Sequence, residues 1–296
     1  MTSTPETQFE TALQDAATAT DAMLEQLLSQ SASPRLLTAM RYAALGAGKR
    51  LRPFLVLESA HLFNVPHARA LRVGAALECV HCYSLIHDDL PAMDDDDLRR
   101  GKPTTHKKFD EATAILAGDS LLTLAFEILT DEDTHPDAKI RNALVLELAK
   151  ASGKDGMAGG QMLDIEAENE SPSALEHIML IQSHKTGALF RFACEAGAIM
   201  ADADRSPLRR YADDIGLAFQ ITDDLLDLES TPAELGKATQ KDSVKGKATI
   251  VDLMGRNVAQ AKAETLVESA IAALSSYGSA ADTLRATARF IISRKK

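Results

Sequence analysis

Apolar residues recur every third or fourth position through almost all of the 296-residue chain. This spacing is typical of helices that bury one face, and no stretch alternates long enough with the two-residue period of a strand. Polar breaks interrupt the pattern at residues 64–66, 131–137, 169–173 and 201–207, and a longer irregular stretch covers residues 230–247. The periodicity predicts an all-α chain in which helices of about twenty residues are joined by tight turns.

No change in composition and no flexible linker divides the chain, and it contains no repeat of fixed period. We therefore predict a single domain covering residues 1–296, in which residues 1–33 form an N-terminal helix and loop. Helical bundles build sites in their cores from side chains on facing helices. Polar clusters between apolar helices are consequently the candidate functional sites.

The formal net charge is −11, with 45% apolar and 25% charged residues. Nucleic acids and anionic membranes require a basic face, so neither is an expected partner. The polar N-terminal residues resemble no export signal. The longest apolar stretches, such as residues 188–201 with Arg191 and Glu195 in their midst, are expected to be too short to span a bilayer. We expect a cytoplasmic protein without membrane insertion.

The three cysteines do not form a disulfide framework, because they are few and odd in number. The spacing of Cys79, His81 and Cys82 suggests zinc, but a structural zinc site needs four ligands and no second Cys/His pair has ligand spacing. Neither zinc nor redox chemistry is predicted there.

Two aspartate clusters lie between apolar helices. In HDDLPAMDDDD, Asp88 and Asp94 would point about 120° apart on a straight helix, but Pro91 favours a local bulge that brings them together. In TDDLLD, Asp223 and Asp227 share one helix face. Carboxylates ~5 Å apart repel by about 3 kcal/mol at an effective dielectric of 20. The clusters therefore predict a site for Mg²⁺, Mn²⁺ or Ca²⁺.

An EF-hand interpretation of the first cluster fails, because Leu98 and Arg99 stand where that loop needs an acidic ligand and a glycine. The intervening residues 95–97 are typical of a solvated loop. Basic residues beside glycine occur in GAGKRLRP, in HKTG and in two GK pairs. Such cations suit phosphate capture, although cations at helix ends more often complement the helix dipole.

In this order and spacing, the motifs resemble those of the trans-isoprenyl diphosphate synthases, most closely the bacterial farnesyl diphosphate synthases. The matching segments are GAGKRLRP, SLIHDDLPAMDDDDLRRGKPTTH, AGDSLLTLAFEIL, GMAGGQMLD, HKTGAL and FQITDDLLDLES. The resemblance implies an all-α prenyl synthase bundle around a central cavity, usually a homodimer. It also implies Mg²⁺-dependent 1'-4 condensation of isopentenyl diphosphate with dimethylallyl or geranyl diphosphate, which gives farnesyl diphosphate and pyrophosphate.

The resemblance also assigns roles by position. Three Mg²⁺ ions, for which Mn²⁺ is a substitute, are implied to bind Asp88, Asp94 and Asp223, with Asp89, Asp224 and Asp227 in support. The implied isopentenyl diphosphate site contains Lys49, Arg52, His81 and Arg100, and the allylic diphosphate site contains Arg99, Lys185, Lys237 and Lys247. Lys185, Thr186 and Gln220 are implied to act in catalysis, the last two by stabilising positive charge. The chain departs from its relatives at Lys241 and Val251, and its SRKK end is either a closing tail or a solvated end.

The resemblance also implies that bulky residues four or five positions before the first aspartate limit product length, and these positions here are Ser84 and Tyr83. Ideal helix geometry places Ser84 more directly beneath Asp88, whereas the resemblance favours Tyr83 and a C15 product. A geranylgeranyl or geranyl diphosphate synthase is the nearest alternative. A terpene cyclase usually lacks the second aspartate motif, and a non-enzymatic cation-binding helical protein would not need the ordered basic residues.

Overall fold

The computed structural model describes residues 5–46, 48–167, 174–229 and 249–293. The first half contains α1 (Pro5–Leu27), α2 (Pro34–Ala44), α3 (Leu51–His61), α4 (His67–Asp88), β1 (Leu98–Arg99), β2 (Lys102–Pro103), α5 (Thr105–Lys108), α6 (Glu111–Thr130) and α7 (Ala138–Ser152). The second half contains α8 (Met157–Ala167), α9 (Leu175–Gln182), a π-helix (Ser183–Gly187), α10 (Ala188–Met200), α11 (Ser206–Glu229), α12 (Ile250–Met254), α13 (Arg256–Ala273), a 3₁₀ segment (Ser275–Ala281) and α14 (Asp282–Ser293).

The predicted all-α class is confirmed, and the helices begin and end close to the predicted breaks. Residues 62–66, 131–137 and 201–205 separate consecutive helices. The predicted breaks at 169–173 and 230–247 lie outside the described residues. The only strands in the described ranges are β1 and β2, which have two residues each and are too short to produce an alternating pattern.

Two helices that are buried around most of their circumference form the centre of the bundle. α4 lies between α3 and α6, and α10 packs against α3, α7 and α11. A helix that is apolar on all sides is stable only inside a core. The polar residues at the end of α4 and at the start of α10 are therefore fixed by the most rigid part of the molecule.

Among the described helices, only α6 is long and apolar enough to cross a membrane. Our expectation that no apolar stretch has this length was wrong, because Asp119 is the only charged residue between positions 112 and 126. In the structure, 44% of its most apolar stretch is buried, and α6 packs along α4 and against α2. The core helix of a bundle satisfies the same criterion of length and composition.

Candidate active site

The chain turns back on itself where α4 ends. The backbone N–H of Asp94 donates to the carbonyl oxygen of Asp88 at 2.8 Å, and that of Asp96 donates to the carbonyl of Asp89 at 3.2 Å. The predicted bulge is wrong in form, because the helix stops before Pro91 instead of continuing in distorted geometry. The turn nevertheless brings the backbones of Asp88 and Asp94 together, as the sequence predicted.

The carboxyl group of Asp88 lies in an environment that disfavours its charge. Its pKa is raised to about 6, mainly by burial and also by Asp94 and Asp89, while Lys185 and Arg99 act in the opposite direction. The C-terminal end of α4 adds partial negative charge at the same place. A hard divalent cation would relieve this repulsion, so these oxygen donors fit Mg²⁺ or Mn²⁺.

The described residues include no preformed cluster of three or more His, Cys, Asp or Glu side chains around a point where a metal could bind. This arrangement suits Mg²⁺, which commonly binds one or two carboxylates and completes its shell with water and phosphate oxygens.

Asp89 binds Arg99 instead of facing solvent. It is buried, and Arg99 Nε lies 2.9 Å from both of its carboxylate oxygens, with Nη2 2.7 Å from Oδ1. Such forked, charge-assisted pairs fix the guanidinium in one orientation. Asp89 thus supports the first aspartate cluster by positioning a cation beside it.

The β1–β2 hairpin separates Arg99 from Arg100. Arg99 pairs with Lys102 across a two-residue turn in which Arg100 and Gly101 have φ of 51° and 75°. Positive φ at both positions matches the twist of a tight hairpin. The Arg100 guanidinium lies beside the backbone of Gly48. The two neighbouring arginines therefore contact different parts of the chain, since Arg99 binds Asp89.

A cavity of about 620 Å³ lies between α3, α4, the π-helix, α10, α11 and α14. The predicted residues that line it are Lys49, Arg52, His81, Arg100, Thr186 and Gln220. They come from five separate parts of the chain. The fold therefore brings the whole predicted isopentenyl diphosphate set together with two of the predicted catalytic residues.

The polar groups in this cavity favour the binding of an anion, because they include three cations and a buried hydrogen-bond donor without a partner. Burial, and then the nearby Arg52 and Arg100, hold the pKa of His81 well below its ordinary value, so the imidazole is neutral. Arg52 Nη1 lies 3.5 Å from His81 Nε2, and the guanidinium stacks 5.0 Å from the Phe190 ring centroid. Arg52 Nε is buried and makes no hydrogen bond in the structure. A buried donor without a partner is costly, so a ligand oxygen here would satisfy it.

The residues on either side of His81 do not form a metal site. Cys79 and Cys82 lie in the core, and burial raises the pKa of Cys82 to about 12. Both are buried as thiols, the form that neither attacks electrophiles nor binds metal. His81 instead lines the cavity.

The π-helix carries Lys185 and Thr186 and packs closely on α8. A Cβ atom at Gly160 would lie 2.7 Å from the Cα of Lys185, so only glycine permits this approach. Lys185 Nζ lies 2.6 Å from Asp164 Oδ2. Among the surrounding charges, Lys185 is the one that lowers the pKa of Asp88 most. The π-helix, a form frequent at functional sites, thus places a cation near the first aspartate cluster.

The second aspartate cluster lies at the end of α11. Asp223 and Asp224 are half-buried, and Asp224 Oδ2 accepts a hydrogen bond from the backbone N–H of Ile250 at 2.9 Å. Asp224 therefore fixes the start of α12. The side chain of Asp227 lies outside the described structure, as do Lys237, Lys247, Lys241 and the last three residues of SRKK.

A family model described as polyprenyl synthetase matches residues 33–284. The chain belongs to the polyprenyl synthetase family. Farnesyl diphosphate synthase of Escherichia coli (strain K12) is 50% identical over 266 residues, covering 87% of this chain and 88% of that protein. Geranylgeranyl diphosphate synthase of Cyanophora paradoxa is 43% identical and covers 86% of each chain.

Solved structures support the same family. The apo crystal structure of an FPP/GFPP synthase from Zymomonas mobilis has a TM-score of 0.89 and 50% sequence identity, covering 97% of this chain and 99% of that one. The predicted prenyl synthase fold is therefore confirmed over nearly the full length.

Sequence reasoning missed one charged pair that shapes the site of this polyprenyl synthetase. Arg50 is buried, and its Nη1 lies 2.6 Å from Oε1 of the buried Glu78, while Nε donates to Asp21 at 2.9 Å. Nη2 donates to the carbonyls of residues 44 and 46. These bonds fix the loop that joins α2 to α3, next to the cavity residues Lys49 and Arg52. The only sign of this pair in the sequence was weak: Arg50 stands between Lys49 and Arg52, the two cations assigned to the isopentenyl diphosphate site.

The synthetase also contains an unassigned acidic residue, Asp164, within the GMAGGQMLD motif. Asp164 pairs with Lys185, which the resemblance assigns to the allylic diphosphate. Asp164→Asn is expected to lower kcat/KM for that substrate about tenfold, because small displacements of a substrate-binding group have large kinetic effects. Steady-state kinetics with each substrate varied would measure this. Asp155→Asn is a matched control, because Asp155 is exposed and forms an ion pair with the likewise exposed Lys154. Unchanged kinetics in Asp164→Asn would exclude the role.

Proposed function

We propose that this chain is a farnesyl diphosphate synthase that joins isopentenyl diphosphate to dimethylallyl and geranyl diphosphates. The observation that carries the proposal is the 620 Å³ cavity, which contains Lys49, Arg52, His81 and Arg100 together with Thr186 and Gln220. The named relatives from Escherichia coli and Zymomonas mobilis support the same activity.

Isopentenyl diphosphate would bind in the basic part of this cavity. Lys49, Arg52 and Arg100 supply three cations, and the neutral His81 supplies a hydrogen bond without adding charge. The guanidinium of Arg52 is held by the Phe190 ring, and its unpaired Nε points to a missing acceptor. Planar guanidinium groups match diphosphate oxygens in two-point contacts.

The allylic diphosphate would bind between the aspartate clusters. Asp88, Asp94 and Asp223 would hold three Mg²⁺ ions, or Mn²⁺, which supply positive charge to the departing diphosphate. Arg99, which Asp89 orients, and Lys185 would contact the same oxygens, and we assign Lys237 and Lys247 to this group from the family motif. Asp224 and Asp227 would support the second cluster.

The condensation follows from this placement. Breaking the allylic C1–O bond puts negative charge on the diphosphate, where preorganised cations lower the barrier. The C4 methylene of isopentenyl diphosphate then attacks C1, and loss of a proton completes the product. Thr186 and Gln220 offer oxygen dipoles that would stabilise the allylic positive charge. Phe190 and Phe219, whose rings pack 5.5 Å apart at the cavity wall, help to exclude water.

The decisive experiment is incubation of the purified protein with Mg²⁺, isopentenyl diphosphate and each allylic diphosphate in turn, followed by chromatography of the products. A C15 product from both starters is expected. A C20 product would favour the geranylgeranyl synthase alternative, and no condensation with either starter would refute the proposal.

Tyr83→Ala is expected to lengthen the products beyond C15, because it removes the bulky ring that we assign to the floor of the tail cavity. Chromatographic chain-length analysis checks this. Ser84→Ala is a suitable control: the Ser84 hydroxyl donates to the carbonyl of His81 at 2.9 Å and so faces its own helix. A wild-type product profile in Tyr83→Ala would remove Tyr83 from this role.

The active form is proposed to be a cytoplasmic homodimer. Ile115 and Leu116 on α6 and Leu146 on α7 are 43%, 55% and 52% exposed in the single chain. A second copy would cover such apolar residues. Light scattering should give twice the mass of one chain, and the mass of a single chain would contradict the dimer.

A further inference from the structure

The ring of His87 occupies a notch in α6. A Cβ atom at Gly118 would lie 2.6 Å from His87 Cδ2 and 2.9 Å from Cε1, so the imidazole fills the space that any larger residue would need. His87 Nε2 also lies 3.1 Å from the carbonyl oxygen of Ile115 and 3.9 Å from Asp119 Oδ1. Contacts to three successive parts of α6 thus hold this ring in one position.

The Tyr83 ring packs edge-on against His87. The two ring centroids are 5.7 Å apart with an interplanar angle of 80°, which is a favourable geometry for an aromatic pair. The residues are four positions apart on α4, so they are neighbours on one helix face. Tyr83 is half-buried, and the Ser84 side chain beside it is turned to its own helix backbone. His87 is therefore an aromatic packing partner of Tyr83 on the same helix face.

We propose that His87, seated in the Gly118 notch, is a positioning residue that fixes the Tyr83 ring and thereby limits product length. The inference rests on the proposed function and adds two residues to it, His87 on α4 and Gly118 on α6. Without the His87 ring, Tyr83 can rotate away from the growing tail. An aromatic contact of this kind corresponds to about a 2- to 10-fold change in the ratio of longer products to C15 product.

The test compares product ratios in His87→Ala, His87→Phe and Tyr83→Ala. We expect His87→Ala to raise the share of products longer than C15, in the same direction as Tyr83→Ala. His87→Phe keeps a ring for Tyr83 to pack on, so it should retain the wild-type ratio. Because His87 directly precedes Asp88, these variants can also lose total activity. The ratio of longer products to C15 product does not depend on that loss. Equal shifts in His87→Ala and His87→Phe, or a wild-type ratio in His87→Ala, would overturn the proposal.

Gly118→Ala provides a second test that keeps His87. Its Cβ would displace the imidazole, so longer products are expected, and the double variant His87→Ala/Gly118→Ala should behave as His87→Ala alone. Additive shifts in the double variant would contradict the proposed notch. If His87→Ala does not fold, as judged by circular dichroism, the product ratio of Gly118→Ala decides. Failure of the proposed function is distinguishable, because the wild-type enzyme would then give no C15 product.

Discussion

Replacing Asp88 with alanine is expected to lower kcat about 10³-fold, and Asp223→Ala is expected to do the same, because each removes a carboxylate from the proposed metal site. The fold should remain intact. Burial and neighbouring carboxylates make an ionised Asp88 unfavourable without a bound cation, so its removal should not lower the free energy of unfolding. Steady-state condensation rates and urea denaturation of the same preparations would measure both effects.

Asp97→Ala is the matched control for this prediction. Asp97 belongs to the same DDDD run but pairs with Lys107 at 2.8 Å on the surface, where solvent screens the interaction. Its activity should equal that of the wild type. Normal turnover in either Asp88→Ala or Asp223→Ala would remove that residue from the metal site.

Replacing Arg50 with alanine is expected to lower the free energy of unfolding by about 3–5 kcal/mol, because Glu78 would remain buried without its partner. The pair is nearly inaccessible to solvent, with side-chain exposures of 1% and 5%. The variant should also have a raised KM for isopentenyl diphosphate, since Arg50 fixes the loop that carries Lys49 and the start of α3, which carries Arg52. Urea denaturation and substrate kinetics measure these two effects.

Lys139→Ala is the corresponding control, because its ion pair with Asp202 is exposed at both ends and spans 3.4 Å. Its free energy of unfolding should change by less than about 0.5 kcal/mol. A similarly small change in Arg50→Ala would show that Glu78 is compensated by other groups.

Much of the site was visible in the sequence because its motifs are local. Asp88 and Asp94 were recognised as a pair, yet the path between them was predicted incorrectly. The sequence suggested a distorted helix around Pro91, whereas α4 ends at Asp88 and the following turn places Asp94 N–H on the Asp88 carbonyl. Proline excludes one helical hydrogen bond but does not determine whether a helix bends or stops. Packing around the following hairpin decides that.

The roles of the basic residues were harder to predict. Lys49, Arg50 and Arg52 are nearly equivalent in sequence, since all three are cations at the start of one helix. Only the fold separates them: Glu78, on another helix, neutralises Arg50 in a buried ion pair, whereas Arg52, which lines the same cavity, has a buried Nε without a hydrogen-bond partner. Asp164 was missed for the same reason, because its partner Lys185 is on the π-helix.

The sequence by itself determined the helical class, the family motifs and the residue types of a metal-dependent diphosphate site, because periodicity and motif spacing are properties of neighbouring residues. Tertiary structure alone decided which charges neutralise each other and which face the cavity. It also decided that the His87 ring on α4 packs against Tyr83 and fills the space beside Gly118 on α6. These choices depend on distances between helices that are far apart in the chain. Burial lowers the effective dielectric, so the interaction energy between charges at such distances becomes large.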